Sequence, residues 1–245
     1  MFLRSLAVYP STYMNELFWF GMLLVNFAFI LTAFRLWGKT GLFAWIPVSV
    51  IVANIQVTKN VTLFGLEATL GNIVYATSFL ATDILSEFFG KKEAYKAVGI
   101  GFFSLVAMTV LMQLALIFTP SPTDLVQGAM MTIFSLMPRI ALASLIAYLA
   151  SNVHDVWAFA YWKEKRPGRK TLWMRNNFST IVSQLIDTVL FTAIAFLGVY
   201  PRGVLLQIGI STYLLKWIVA VLDTPCIYLA RSWVDRGYIP TGEQL

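Results

Sequence analysis

The sequence predicts an all-α, polytopic membrane protein of six or seven transmembrane helices, and three observations carry that prediction. Hydrophobic residues make up 58% of the chain and charged ones 12%, against roughly 45–50% and about 25% in soluble domains. Several uninterrupted apolar stretches reach spanning length, about 20 residues for a helix crossing a bilayer. The few ionisable residues inside those stretches recur at helical spacing: Asp83 and Glu87 four apart, Gln184 and Asp187 three, Lys216 and Asp223 seven. Such spacing puts each set on one helix face. A charge at mid-bilayer costs about 2.5–3.5 kcal/mol on insertion scales, so these faces should meet around a polar interior.

Taken in order, the spans are read at Glu16–Trp37, Leu42–Val57, Ala68–Phe89, Lys96–Phe118, Pro138–Trp162, Asn176–Gly198 and Leu205–Trp233, all in one membrane domain over 1–245. No small-residue cleavage site follows the first run, which therefore reads as a span and not as a leader. The second is short and holds Pro47, which predicts a kink or a partly re-entrant path. The third stops at Gly90, a suitable helix C-cap, with Lys91 and Lys92 at the negative end of the helix dipole. Thr119-Pro120-Ser121-Pro122 ends the fourth, and a short helix along the outer surface is expected before Met137. Pro225 in the last run marks a kink and frees a carbonyl near Leu222.

The chain carries a formal charge of +6, which could suggest nucleic acid. The position of the basic residues argues otherwise. Lys163, Lys165, Arg166, Arg169, Lys170 and Arg175 crowd one loop between two spans, a positive-inside topology signal with anionic lipid headgroups as a secondary partner. Alternating sides gather Arg35, Lys39, Lys91, Lys92, Lys96, that loop, Arg231 and Arg236 on one face of the membrane. Only Arg4, Lys59 and Arg202 fall on the other. This places the N-terminus outside and the C-terminus inside the cytoplasmic (inner) membrane. One cysteine, Cys226, and one histidine, His154, leave no disulfide and no multi-histidine metal site. No cofactor or metal is expected. GxxxxGK[ST] is absent, so the chain has no ATP motor of its own. Protease motifs of the His-Glu-x-x-His or Gly-x-Ser-x-Gly type are absent too, and no enzymatic role is expected.

The candidate binding residues follow from depth. Asp83 lies one turn deeper than Glu87, which can reach toward Lys91. Asn177, Gln184 and Asp187 form a stripe on the sixth span with Thr180, and Asp187 sits about 16 Å from the start of that span. Lys216 falls level with it, so that an ion pair of Lys216 with Asp187 or with Asp223 would offset burial. The fifth span holds Tyr148 with Ser144, Ser151, Asn152 and Asp155, and begins at Arg139, as readily a headgroup anchor as a site residue. Asn54 adds an amide to the second span.

These residues fall in ordered motifs. Thr82-Asp83-Ile84-Leu85-Ser86-Glu87-Phe88-Phe89-Gly90-Lys91-Lys92 resembles the acidic motif of the bacterial queuosine-precursor transporter family. Pro138-Arg139, Leu172 to Thr180, Ser183 to Asp187, and Lys216 through Leu222-Asp223-Thr224-Pro225 match its other blocks in order. The resemblance runs from about Asn54 to Arg231. It implies a vitamin-uptake-type importer of 7-deazaguanines, such as 7-cyano-7-deazaguanine, for tRNA modification. The fold implied is similar to the membrane substrate-binding subunits of energy-coupling-factor importers.

Chemistry independently suits such a ligand. A guanine-like edge offers adjacent N–H donors to a carboxylate, Asp187 or Asp83, and a carbonyl to Gln184, Asn177 or Lys216. Tyr148 or Phe178 could stack on the ring. The expected partner is thus a small nucleobase-like molecule, carried by a monomer. The alternatives are a binding subunit served by a separate ATPase module, or a carrier of another heterocycle such as queuine.

Overall fold

The computed structural model describes residues 12–134, 138–198 and 201–239. Arg4, and the end of the loop that reaches Met137, lie outside these residues. Among the described residues eight α-helices carry the fold: α1 Thr12–Gln56, α2 Gly71–Phe88, α3 Lys91–Ile117, α4 Gln127–Phe134, α5 Pro138–Lys165, α6 Leu172–Phe196, α7 Arg202–Leu222 and α8 Thr224–Asp235. Four helical stretches among the described residues, Met14–Gln56, Lys91–Ile117, Arg169–Phe196 and Leu205–Asp235, are long and apolar enough to cross a membrane. The chain is an all-α membrane protein with one small addition, an antiparallel hairpin of β1 Asn60–Leu63 and β2 Leu66–Thr69. Its two-residue turn, Phe64-Gly65, takes positive φ at both positions, 53° and 74°, as a type I′ turn demands.

α1 is a helical hairpin and not one long rod. Gly38 takes φ 54° and ψ −132°, a conformation that only glycine adopts without strain. The arms fold back about that point. Phe29 stacks on Trp45 with centroids 5.6 Å apart, and a Cβ at Gly41 would overlap the Ala33 carbonyl. The N-terminal end of α1 consequently meets the β-hairpin that follows its C-terminal end: Asn15 Nδ2 donates to the Thr62 carbonyl at 3.1 Å and the Phe64 amide donates to Glu16 at 2.8 Å. The short second run with Pro47 therefore returns the full length of the first arm.

α2 is the central helix. All of its residues except Asn72, Tyr75 and Phe88 are buried, and it touches α1, α3, α5, α6, α7 and α8. Gly90, at φ 86°, turns the chain from α2 into α3. The last predicted span is not continuous: α7 stops at Leu222, Asp223 is the junction, and α8 begins with Pro225 in its first turn. A proline there lacks only an N–H that a helix start leaves unbonded anyway.

The bundle has two chemically different ends. Gly38, the α2–α3 turn, the α5–α6 loop and α8 gather at one. Lys39 pairs with Glu93 at 3.2 Å and Arg35 lies 4.6 Å from the centre of the Tyr238 ring there. The β-hairpin and the α6 C-terminus mark the other.

Candidate functional site

An open cleft lies toward the β-hairpin end, where α1, α2, α3, α5, α6 and α7 converge. The space between its lining residues, counted with the solvent at its open mouth, is about 420 Å³. Its polar lining is Asn54, Asn72, Tyr75, Ser144, Tyr148, Asp187 and Lys216. Lys216 from α7 forms an ion pair with Asp187 from α6, and both side chains are about 95% buried. Tyr75 from α2 donates its hydroxyl to the other Asp187 oxygen at 2.6 Å. The same ring lies 4.8 Å from the Lys216 ammonium, a cation–π contact, and Ser151 is 3.2 Å from its hydroxyl. Three helices are thus clamped on one carboxylate, which offsets the cost of burying either charge alone.

Two polar atoms around the cleft have no partner among the described residues: Asn72 Nδ2 and the Tyr148 hydroxyl. A buried unsatisfied group costs about 1–3 kcal/mol, so each is a place where a ligand atom would be favourable. Gly101 on α3 makes room for the Tyr148 hydroxyl, which a Cβ at that position would overlap.

The structure brings four of the ten candidate residues into this cleft: Asp187, Lys216, Asn54 and Tyr148. Asn54 bonds the Val50 carbonyl at 2.9 Å. The other six lie elsewhere. Gln184 is fully buried next to the cleft, with neither amide atom partnered. Asp83 is fully buried farther along α2, where Thr180 donates to it at 3.2 Å. Asn177 bonds Trp173 and Thr224, and Asp223 accepts from Asn176 at 2.7 Å. Arg139 is exposed and donates to the carbonyls of Ile194 and Leu197, both at 2.6 Å. It thereby caps the α6 C-terminus, whose carbonyls lack helical partners.

Glu87 does not reach Lys91 as its spacing allows. It forms an ion pair with Arg175 through both oxygens and with Arg231 at 2.9 Å. Arg175 is itself completely buried and donates further to the carbonyls of Arg166 and Gly168 at 2.9 and 3.1 Å. It is therefore not one of the solvated loop cations with which its position groups it. Lys163 adds bonds to the Ser86 and Glu87 carbonyls. This network ties α2, the basic loop, α6 and α8 at the end opposite the cleft.

Sequence reasoning missed Asn72 and Tyr75. Tyr75 lies two turns before Thr82 and Asn72 three turns before Asp83 on one face of α2, the signal that could have found them.

Residues 69–230 match the family model described as "Putative vitamin uptake transporter". A protein of Bacillus subtilis named "Probable queuosine precursor transporter" is 46% identical over 222 residues, 91% of this chain and 97% of that one. A protein of Haemophilus influenzae with the same name is 28% identical over 163 residues, 65% of this chain and 66% of its own. No solved structure matches. The family model spans most of the chain and the Bacillus subtilis relative covers nearly all of it, so the chain belongs to the vitamin uptake transporter family that includes the queuosine precursor transporters, and is a transporter and not an enzyme.

Proposed function

We propose that this chain imports a queuosine precursor of the 7-deazaguanine class, such as 7-cyano-7-deazaguanine, across the cytoplasmic membrane. The single observation that carries the reading to this site is the Asp187–Lys216–Tyr75 cluster buried in the cleft. Each carboxylate oxygen accepts more than one hydrogen bond. Asp187 can therefore hold Lys216 and Tyr75 and still receive the adjacent N–H donors of a guanine-like edge. Lys216 has three donors and gives one to Asp187, leaving others for a ring carbonyl or a nitrile. Asn72 and Tyr148 supply the remaining polar contacts, and the Tyr75, Tyr148 and Phe191 rings flank a flat heterocycle. A site whose polar atoms are satisfied only by the right edge rejects analogues that leave them unpaired.

In this reading the β-hairpin end faces outward and the basic end, with Arg35, Lys39, the 163–170 loop and Arg231, faces the cytoplasm. The two arms of α1 each cross, which with α2, α3, α5, α6 and α7 makes seven spans, N-terminus outside and C-terminus inside. The Glu87–Arg175–Arg231 network then closes the cytoplasmic side beneath the bound base. The chain works as a monomer around one central cleft.

The test is uptake of radiolabelled 7-cyano-7-deazaguanine by cells unable to synthesise it, with adenine and guanine as competitors. Saturable uptake that unlabelled precursor abolishes and adenine does not is the expected result. No uptake, with the protein present in the membrane, would overturn import by this chain alone; recovery on adding an ATPase module would make it a binding subunit instead.

A further inference from the structure

About 10 Å from the cleft toward the basic end, by the rise of seven residues along α6, two carboxyls meet. Asp83 from α2 and Asp155 from α5 are both completely buried. The Thr180 hydroxyl of α6 stands between them, 3.2 Å from Asp83 and 3.3 Å from Asp155. Among the described residues neither is in an ion pair. Nor does either line the cleft.

Proton counting makes this cluster different from the other buried acids. An ionised carboxylate is an acceptor only, and a hydroxyl has a single proton to give. Thr180 can therefore donate to one carboxyl but not to both, and the second contact is a hydrogen bond only when that carboxyl carries a proton and donates it to the Thr180 oxygen. Glu87 and Asp187 are satisfied by cations, whereas no cation pairs with either of these carboxyls among the described residues.

Independent atoms point the same way. Gln184, one turn from Thr180 on the same α6 stripe, is fully buried with both amide atoms unpartnered. Asn176, one turn in the other direction, is fully buried with an unpartnered Oδ1. Asp83 Oδ1, Asp155 Oδ2 and Ser86 Oγ are unpartnered as well. Unsatisfied polar atoms in a row at helical spacing are the places that water occupies, and chains of acids in membrane carriers serve as proton relays.

We propose that Asp83 and Asp155 form a proton-binding site, separate from the substrate cleft, that couples import of the base to inward movement of one proton. This rests on the carrier reading above. A hydronium arriving past the cleft gives its proton to a carboxylate oxygen, forming the O–H that bonds the Thr180 oxygen, and leaves as water. When the basic end opens, that O–H yields the proton to water and the carboxylate is restored. Gln184 lies between this pair and Asp187, so occupancy of the cleft reaches it through one amide. The charged and titratable groups around it are Asp223, held by Asn176 at the α7–α8 junction; Glu87 with Arg175 and Arg231 on the basic side; and Asp187 with Lys216 and Tyr75 on the cleft side. His154, next to Asp155 in sequence, is turned to Ser183 at 2.9 Å.

Two measurements test this. Infrared spectra of the purified protein without substrate should show a protonated-carboxyl band that shifts in D2O and is lost in Asp155→Asn and in Asp83→Asn; a band unchanged in both variants overturns the buried proton. In ATP-free proteoliposomes with an acid exterior one pH unit below the interior, the wild type should concentrate 7-cyano-7-deazaguanine up to about tenfold, one proton's worth. Asp155→Asn should exchange labelled for unlabelled base yet only equilibrate it. Equal accumulation by Asp155→Asn, or accumulation by the wild type that ignores the gradient, overturns the coupling. If the wild type neither binds nor exchanges the base, the substrate reading has failed, and the infrared result alone decides the pair.

Discussion

Replacing Arg175 by methionine removes a cation that is completely buried, and the consequence can be worked from its partners. Glu87 loses both bonds from the guanidinium, keeps only Arg231, and remains fully buried itself. Breaking one side of a buried pair costs about 3–5 kcal/mol. The surviving Arg231 contact, 31% exposed on the arginine side, puts the cost near the lower end. The carbonyls of Arg166 and Gly168 sit in an exposed loop and regain water, so they add little. About 3 kcal/mol is a ratio near 100-fold in the folded-to-unfolded balance. The double variant Glu87→Leu/Arg175→Met removes both charges, and the same reasoning leaves it within about 1 kcal/mol of wild type, because an apolar replacement of a whole pair is close to neutral. Tryptophan fluorescence during SDS unfolding of the purified protein reads both; the chain has eight tryptophans. Arg175→Met as stable as wild type, or a double variant weaker than Arg175→Met, would refute the claim that desolvated Glu87 sets the cost.

Two further predictions concern the cleft and the path of the chain. Gly101→Ala places a methyl on the Tyr148 hydroxyl and should push that ring into the cleft, weakening binding of 7-cyano-7-deazaguanine at least about tenfold with little change in unfolding; equilibrium binding to the purified variant checks it, and wild-type affinity would show that the notch is irrelevant. If both arms of α1 cross, a cysteine at Lys59, in a Cys226→Ser background, reacts with an impermeant thiol reagent added to intact cells. A cysteine at Lys92 reacts only after permeabilisation, and the reverse pattern would invert the orientation.

The parts of this fold that can be read from the sequence are those written in local period and composition. The apolar runs, the Gly90 stop and the Asp187 depth all depend on neighbours within a few residues. The hairpin in α1 was nearly legible, since Gly38-Lys39 separates the two runs and the basic side chain prefers an end of the bundle. The break at Asp223 was flagged by Pro225, although an uninterrupted apolar run argued for continuity. Other features are tertiary. Glu87 and Arg175 are 88 positions apart, and nothing in the 163–175 loop distinguishes the one arginine that turns inward from those that stay in water. Tyr75 escaped because tyrosine counts as apolar in any hydropathy window, while its hydroxyl is what holds Asp187. The β-hairpin is four residues a side, too short for alternation to register, and its turn uses Phe64 at a positive φ that sequence rules reserve for glycine or asparagine. Phe64 instead packs edge-on against Trp19 and Phe20, at 6.1 and 6.4 Å. Asp83 and Asp155 are each visible as buried acids, but their meeting across Thr180 is a product of how α2, α5 and α6 pack.

The most direct test of the central claim is equilibrium binding of radiolabelled 7-cyano-7-deazaguanine to purified wild type, Asp187→Asn and Lys216→Ala. Hydrogen bonds to charged groups contribute about 1.5–3 kcal/mol each, and each variant disturbs at least two of them, so affinity should fall by roughly 100-fold or more while the proteins stay monodisperse in detergent. Wild-type affinity in Asp187→Asn would contradict the cleft as the place where the base is recognised.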